Sequence, residues 1–123
     1  MEKITIGNKV FEISFIDSVE NDFRKYLKAA HKKRGNGYLA ESSQKNYVKK
    51  LFEFCDKKMV DLNAGSQFNI YKLDIYDKNI MEILNQLRDI MRDYDNKNSD
   101  KFCSGDPASA ILYYRDFVKT FRK

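Results

Sequence analysis

The sequence predicts a mainly α-helical fold, a four-to-five-helix orthogonal bundle with a short N-terminal β-hairpin. Apolar residues recur at three- and four-residue spacing through most of the chain. Only the first sixteen residues show the two-residue alternation of strands. The length of 123 residues, with 42% hydrophobic and 33% charged residues, fits one folded domain and argues against disorder.

The first element is predicted to be a β-hairpin extension (1–16), followed by a helical domain (17–123). Ile4 and Ile6 alternate with polar residues, the chain can turn at 7–9, and β-branched and aromatic residues dominate from Val10 to Ile16. Because an isolated two-stranded hairpin is marginally stable in water, we expect it to pack on the helices or on a partner chain.

Helix one is predicted to begin at Asp17 or Ser18 and to end near His31–Arg34. Asp17 and Glu20 have capping-box spacing, with Asp in place of the usual Ser or Thr. The glycines of the 35–37 segment then end the helix. The apolar stripe that defines this helix consists of Val19, Phe23, Tyr26, Leu27 and Ala30.

Helix two is predicted from about Ser43 to Lys58, with Ser42 or Ser43 as its N-cap. A loop at 63–66 and two short apolar anchors, Phe68 and Ile70, follow it. The stripe of helix two consists of Tyr47, Val48, Leu51, Phe54, Cys55 and Met59, and the lysines at 45, 49 and 50 fall largely on the other face.

Two further helices complete the prediction. Helix three begins near Asp74 or Asp77, ends near Tyr94 and carries the strongest amphipathic stripe. An exposed loop (95–106) follows, with Phe102 turned inward. Helix four has the clearest start, because Asp106 can cap it and Pro107 occupies the first helical position, where proline is tolerated best.

The composition argues against several classes of protein. No run approaches the roughly 20 apolar residues of a membrane span, and the N-terminus has no apolar signal-peptide region. We therefore expect a cytoplasmic protein without a membrane partner. Two Cys and one His are too few for a structural zinc site, so we expect no metal and no cofactor. Cys55 and Cys103 lie beside aromatic residues and are expected to be packed thiols.

The sequence gives little support for catalysis, and we predict that the chain is not an enzyme. No nucleotide-binding, zinc-protease or serine-hydrolase motif occurs. His31, the single histidine, lies in a Lys/Arg cluster that suits contact with an anion. The aspartates at 89, 93 and 95 alternate with Arg88 and Arg92, as on a solvated helix face with local ion pairs. An enzyme with an unrecognised site remains the third possibility.

The positive charge is concentrated in one block. Residues 24–58 contain eleven Lys or Arg against three acids, whereas residues 1–23 and 74–95 each carry a balance of −3. Such asymmetry is typical of polyanion binding, and a helix N-terminus in this block favours a phosphate. The predicted nucleic-acid-binding residues are Lys28, His31, Lys32, Lys33, Arg34, Tyr38, Ser43, Lys45, Lys49 and Lys50.

Helices one and two also resemble a known family. The pattern is Phe23-x-x-Tyr26-Leu27, a Gly-containing turn, then Ser42-Ser43-x-x-x-Tyr47-x-x-x-Leu51-x-x-Phe54. It is similar to the SAM-like core-binding domain of phage-integrase-type tyrosine recombinases, a small helical bundle that clamps duplex DNA. The resemblance implies that Lys45, Lys49 and Lys50 face DNA. The Arg/His/Tyr catalytic set of a recombinase is not found, and the N-terminal hairpin and acidic helix three lie outside the matching pattern.

The C-terminal segment carries a second resemblance. The run Ser109-Ala110-Ile111-Leu112-Tyr113-Tyr114-Arg115-Asp116-Phe117 is similar to the closing helix of modules that precede nuclease domains in bacterial restriction-type proteins. Together the two likenesses cover about residues 19–121. They imply a module that works beside a nuclease or recombinase domain.

Two functional hypotheses follow. The first is a non-catalytic DNA-binding module that contacts the phosphate backbone of double-stranded DNA through a basic helix-turn-helix face, without sequence specificity. The alternative is a protein–protein interaction or accessory protein of a phage, mobile element or defence system. Its basic face would then meet an acidic protein partner, or its hairpin would extend a neighbour's sheet. Retention of an arbitrary duplex at low salt separates the two.

Overall fold

The computed structural model describes residues 2–30, 37–97 and 106–122. It consists of a two-stranded antiparallel hairpin and a small helical bundle. The predicted fold class is confirmed. The described elements are β1 (Glu2–Ile6), β2 (Lys9–Ile13), α1 (Glu20–Ala29), α2 (Glu41–Glu53), α3 (Ile80–Lys97) and α4 (Asp106–Phe121). After Glu53 the helical path continues through a π-helical turn (Phe54–Lys58) and a last α-helical turn (Met59–Asp61), and a 3₁₀ turn (Ile70–Lys72) precedes α3.

The hairpin closes through a two-residue loop, in which Gly7 has a φ of 62° and Ile6 pairs with Lys9. A glycine with positive φ at the first loop position suits a tight hairpin turn. Its backbone N–H donates to the carbonyl oxygen of Ala64 at 2.7 Å. The apolar residues of the two strands alternate toward the protein interior and are buried; they are Ile4, Ile6, Phe11 and Ile13.

The outer edge of β1 is bonded to the segment after α2. The N–H of Thr5 donates to Ser66 Oγ, the N–H of Ser66 donates to the Thr5 carbonyl oxygen, and both distances are 2.8 Å. Gly65 lies opposite Ile6 and passes so close that a Cβ atom there would stand 2.2 Å from the Thr5 carbonyl oxygen. The hairpin therefore packs on the helical part of this chain, one of its two expected partners.

Helix α1 begins later and ends earlier than predicted. Its first residue is Glu20 and its N-cap is Val19, so the capping box of Asp17 and Glu20 is wrong. The N–H of Val19 instead donates to the Tyr71 carbonyl oxygen at 2.9 Å, a tertiary contact that local spacing does not encode. The backbone turns to an extended conformation at Ala30. The predicted end at His31–Arg34 lies outside the described residues.

Helix α2 begins at Glu41, which corrects the predicted N-cap at Ser42 or Ser43. The N-cap is Ala40, which has no capping side chain, and both serines lie in the first turn. The side chain of Gln44 donates to the Leu39 carbonyl oxygen at 3.0 Å and holds the incoming chain instead. The burial of Val48 and Leu51 then directs the opposite face of α2 to solvent.

The last two helices start near the predicted positions. Asp77 Oδ1 accepts the N–H of Asn79 at 2.7 Å, and the Asp77 carbonyl oxygen accepts the N–H of Ile80 at 3.1 Å. Helix α3 therefore begins at Ile80, and it extends three residues past the predicted end at Tyr94. Helix α4 begins at Asp106, with Pro107 buried in its first turn. Phe102 lies outside the described residues.

An aromatic cluster joins α1 and α4 to the 3₁₀ turn. The Phe23 ring lies 5.0 Å from the Tyr114 ring in an edge-to-face arrangement, 5.5 Å from Phe117 and 5.9 Å from Tyr71, measured between centroids. All four side chains are fully buried. Such pairs add stability beyond their buried area, so this cluster fixes the position of α1 over the core.

Candidate nucleic-acid interface

Helices α1 and α2 pack against each other and leave a groove along their solvent side. Phe23 and Leu27 point into the core from α1, so Arg24 and Lys28, each one residue further along, turn toward α2. Lys45 and Val48 face them from α2. This part of the groove encloses about 570 Å³, and its lining residues are Arg24, Lys28, Glu41, Gln44, Lys45 and Val48.

A second recess of about 600 Å³ continues the first, because the two share Arg24, Lys45 and Val48. We call the combined feature the α1–α2 groove. Val48 and the half-buried ring of Phe52 give it an apolar component, and charged side chains surround them. The residues that the second recess adds are Glu20, Lys49, Phe52, Glu53, Asp56 and Lys57.

The cations of the groove form two rows on facing helices. Arg24 and Lys28 are one helical turn apart on α1, and Lys45 and Lys49 are one turn apart on α2. Residues four apart on a helix are neighbours on its surface, about 6 Å apart along its axis. Lys57 extends the α2 side into the π-helical turn. The fold thus brings together basic residues that are 17 to 33 positions apart in the sequence.

Most of these cations have a carboxylate partner on their own helix. Arg24 pairs with Glu20 at 2.8 Å and Lys45 with Glu41 at 3.3 Å, whereas Lys49 and Lys50 approach Glu53 at 3.9 and 3.8 Å. The side chains of Lys45 and Lys49 keep 70% and 67% of their area exposed, so their pairs are surface ion pairs. Among the described residues, Lys28 and Lys57 form no ion pair.

Of the ten predicted contact residues, three line the groove, three lie elsewhere and four are outside the described residues. Lys28, Lys45 and Lys49 line the α1–α2 groove. Lys50 is half-buried beside Glu53. Ser43 is half-buried in the first turn of α2, and Tyr38 is 60% exposed just before that helix. The remaining four, His31, Lys32, Lys33 and Arg34, lie outside the described residues.

The charge block alone did not single out three lining residues, Arg24, Phe52 and Lys57. Arg24 lies four residues before Lys28, and this spacing is a signal that the sequence does contain. Phe52 and Lys57 lie between residues of the helix-two stripe, and their position in the groove depends on how α1 docks on that helix. The N-terminus of α2 carries Glu41 in its first turn, so an anion there meets a carboxylate.

In the described part of the chain, Cys55 lies in the core and two aspartates of α3 lie in surface ion pairs. Among the described residues, no three His, Cys, Asp or Glu side chains come close enough to hold a metal ion. Burial raises the pKa of the Cys55 thiol, with Asp56 adding to the shift, so the thiol stays protonated. On α3, Asp93 pairs with Lys97 at 3.1 Å and Asp89 approaches Arg92 at 3.8 Å, as on a solvated helix face.

Within the described ranges, none of the helices combines the length and the apolar character needed to span a bilayer. Comparison of the chain with protein-family models, with curated proteins and with solved structures gives no significant match. The resemblance to the core-binding domain of tyrosine recombinases, or to the helical modules before nuclease domains, therefore stays a prediction.

Proposed function

We propose that this chain is a non-catalytic nucleic-acid-binding module and that its α1–α2 groove binds the phosphate backbone of duplex DNA. The observation that carries the proposal is the convergence of two rows of cations across one groove. Arg24 and Lys28 of α1 face Lys45 of α2 in the first recess, and Arg24 lines the second recess together with Lys45 and Lys49. The lining of the groove carries five cations and four carboxylates, a balance of +1, and a phosphate that displaces the carboxylates would lie between cations of both helices.

The carboxylates of the groove shape this binding. Glu20, Glu41 and Glu53 each lie on the same helix as the cation they pair with. Exposed ion pairs of this kind contribute about 1 kcal/mol or less, so a phosphate can displace the carboxylate. The negative charge nonetheless remains beside the ligand and weakens its binding. We therefore expect affinity of the non-specific class, which comes from counterion release and falls steeply with added salt.

The apolar residues of the groove fit the same partner. Val48 and Phe52 are apolar residues of the lining and can pack against a sugar or against the alkyl stems of the lysines. Neither side chain carries a donor or acceptor that distinguishes bases. Arg24 and Gln44, which belong to residue types that read base edges, are engaged by Glu20 and by the Leu39 carbonyl oxygen, so we expect backbone contacts without sequence specificity.

A charge-neutralising variant with a matched control tests the proposal. In one variant Lys28, Lys45 and Lys49 are changed to Gln; in the control Lys72, Lys78 and Lys119, which are also exposed, are changed to Gln. Both variants lose the same formal charge. We expect an arbitrary duplex at low salt to be retained by the wild type and by the control, and about tenfold more weakly or worse by the groove variant. Equal retention by both variants, or none by the wild type, would contradict the proposal.

A further inference from the structure

On the outer edge of β2, the backbone groups of two residues receive no hydrogen bond from the described part of the chain. Thr5 directs its N–H and its carbonyl away from β2, because both bond to Ser66. Thr5 pairs with Val10, and Lys3 pairs with Glu12. In an antiparallel ladder the two residues of such a pair both direct their polar groups away from each other. Val10 and Glu12 therefore direct theirs to the outer side of β2, where no hydrogen bond reaches them from the described residues.

The open stretch of this edge is short and bounded. Further along the same edge the chain pairs with itself, since the N–H of Asp74 donates to the Ser14 carbonyl oxygen and Phe15 lies opposite Leu73 in antiparallel register. Beyond Asp74 the chain turns away toward α3. A slot of about 380 Å³ remains between β2 and the residues that precede α3; it is lined by Lys9, Val10, Phe11, Glu12, Asp77, Lys78 and Asn79.

Asp77, Lys78 and Asn79 form the opposite wall of the slot, so an added strand would lie between these residues and β2. Two residues with outward N–H and carbonyl groups present the pattern that an added strand completes. The antiparallel pairing of residues 72–74 on the same edge favours an antiparallel strand here as well. The edge contains no proline and no bulge, but it is short and carries Lys9 and Glu12, which disfavour indiscriminate pairing and favour a partner of matching charge.

The exposed side chains on this edge define the chemistry of the partner. Val10 is 58% exposed, and a β-branched or aromatic residue opposite it would cover it. The side chain of Glu12 is 62% exposed and lies 4.0 Å from Lys3, so it can accept a second cation. Lys9 already pairs with Glu82. In the opposite wall Asp77 and Lys78 balance each other in charge. The favoured residue opposite Glu12 is therefore basic.

We propose that the β2 edge binds an extended peptide segment of another protein by β-strand addition. The peptide runs antiparallel to β2, with a basic residue opposite Glu12 and, two residues later, a β-branched or aromatic residue opposite Val10. This surface contains none of the residues of the α1–α2 groove. It therefore gives the chain a second binding function, which does not depend on nucleic-acid binding.

A designed peptide tests the proposal on the whole chain by NMR. The probe is the blocked peptide Thr-Arg-Thr-Val-Thr, and its control carries N-methyl groups on Arg and Val, which remove the two donors that an added strand needs. We expect the probe to shift the amide signals of Val10 and Glu12 and to slow their hydrogen exchange about tenfold or more at saturation. Unchanged signals at these two amides, or equal binding of the methylated peptide, would overturn the proposal.

Two variants separate strand addition from other contacts. Val10→Pro removes an outward N–H that the ladder with β1 does not use. We expect the variant to keep the hairpin but to lose binding of the probe, because an edge strand tolerates proline but proline cannot donate to an added strand. Glu12→Lys keeps every backbone group and should weaken binding of the Arg peptide up to about fivefold. It should also strengthen binding of the same peptide with Glu in place of Arg. If the Glu12→Lys variant still bound the Arg peptide more tightly than the Glu peptide, the pairing of that peptide residue with position 12 would be wrong.

Discussion

The hydroxyl of Tyr71 donates a hydrogen bond of 2.8 Å to the backbone carbonyl oxygen of Val48. Both residues are buried, and Val48 also lines the α1–α2 groove. The bond therefore connects the 3₁₀ turn beneath α2 to the helix that presents Lys45 and Lys49. A polar contact in the core thus holds one wall of the candidate site in position.

Removal of this hydroxyl should destabilise the fold modestly. We expect Tyr71→Phe to lower the free energy of unfolding by about 1 kcal/mol, because the ring still packs but the hydrogen bond is lost. Urea denaturation followed by circular dichroism measures the change. Tyr76→Phe, at a residue that is 62% exposed, serves as the control and should leave stability unchanged. Equal stability of both variants would show that the hydrogen bond from Tyr71 to Val48 does not stabilise the fold.

Gly65 is expected to tolerate no side chain. A Cβ atom there would stand 2.2 Å from the Thr5 carbonyl oxygen, which would force β1 away from the segment after α2. At Gly7, by contrast, a Cβ atom would meet nothing within 4 Å. Gly7→Ala should cost about 1 to 2 kcal/mol for its positive φ alone. Gly65→Ala should lower stability clearly more. Thermal unfolding of both variants measures the two losses, and a greater loss in Gly7→Ala would contradict the close packing of Gly65 on β1.

Stability should fall in alkaline solution. Burial raises the pKa of Tyr71 and of Tyr114 above the ordinary value of 10.0, and burial also raises the pKa of Cys55 above 9.0. The folded chain therefore keeps protons that the unfolded chain releases. The stability contributed by Cys55 is fully present below about pH 9, and that of the two tyrosines below about pH 10. Each contribution is then lost at about 1.4 kcal/mol per pH unit as the pH rises toward the raised pKa of the group.

Urea unfolding at increasing pH measures this slope. Tyr114→Phe removes one of the three groups, so the variant should lose less stability per pH unit above about pH 10 than the wild type does. Parallel curves for the two proteins would contradict the burial of the Tyr114 hydroxyl.

The carboxylates beside the groove should limit DNA binding. Replacement of Glu41 and Glu53 by Gln frees Lys45 and Lys49 from their ion pairs and removes two negative charges. We expect DNA affinity to rise by about 0.5 to 1 kcal/mol, a factor of about two to five at low salt. Asp89→Asn with Asp93→Asn changes the net charge equally on α3 and serves as the control. An equal gain from both pairs would mean that only the net charge matters.

The sequence predicts the helices because their burial pattern is local. Ile83, Leu84, Leu87 and Met91 recur at helical spacing and are all fully buried on α3. The helix starts were predicted less well. Helices α1 and α2 begin after Val19 and Ala40, neither of which caps through its side chain. At α1, Ser18 Oγ accepts the N–H of Glu20 at 3.2 Å, and the N–H of Val19 donates to the Tyr71 carbonyl oxygen. The position of that distant carbonyl cannot be derived from local spacing.

The candidate site was predictable only where it depends on local features of the sequence. The charge block identified Lys28, Lys45 and Lys49, because clustering of charge is a property of the sequence itself. It did not select Arg24, nor did it show that Glu41 and Glu53 lie beside the cations. Both depend on the face that each helix turns outward once α1 has docked on α2.

The salt dependence of DNA binding distinguishes phosphate contacts in the α1–α2 groove from contacts elsewhere on the surface. If the groove cations neutralise phosphates, log K plotted against log salt concentration falls with a slope of about −0.9 per phosphate contact. Changing Lys28, Lys45 and Lys49 to Gln should then reduce the magnitude of that slope by about 2 to 3, whereas the Lys72, Lys78 and Lys119 control keeps the wild-type slope. A groove variant with the slope of the wild type would show that DNA, if bound, is held elsewhere on the molecule.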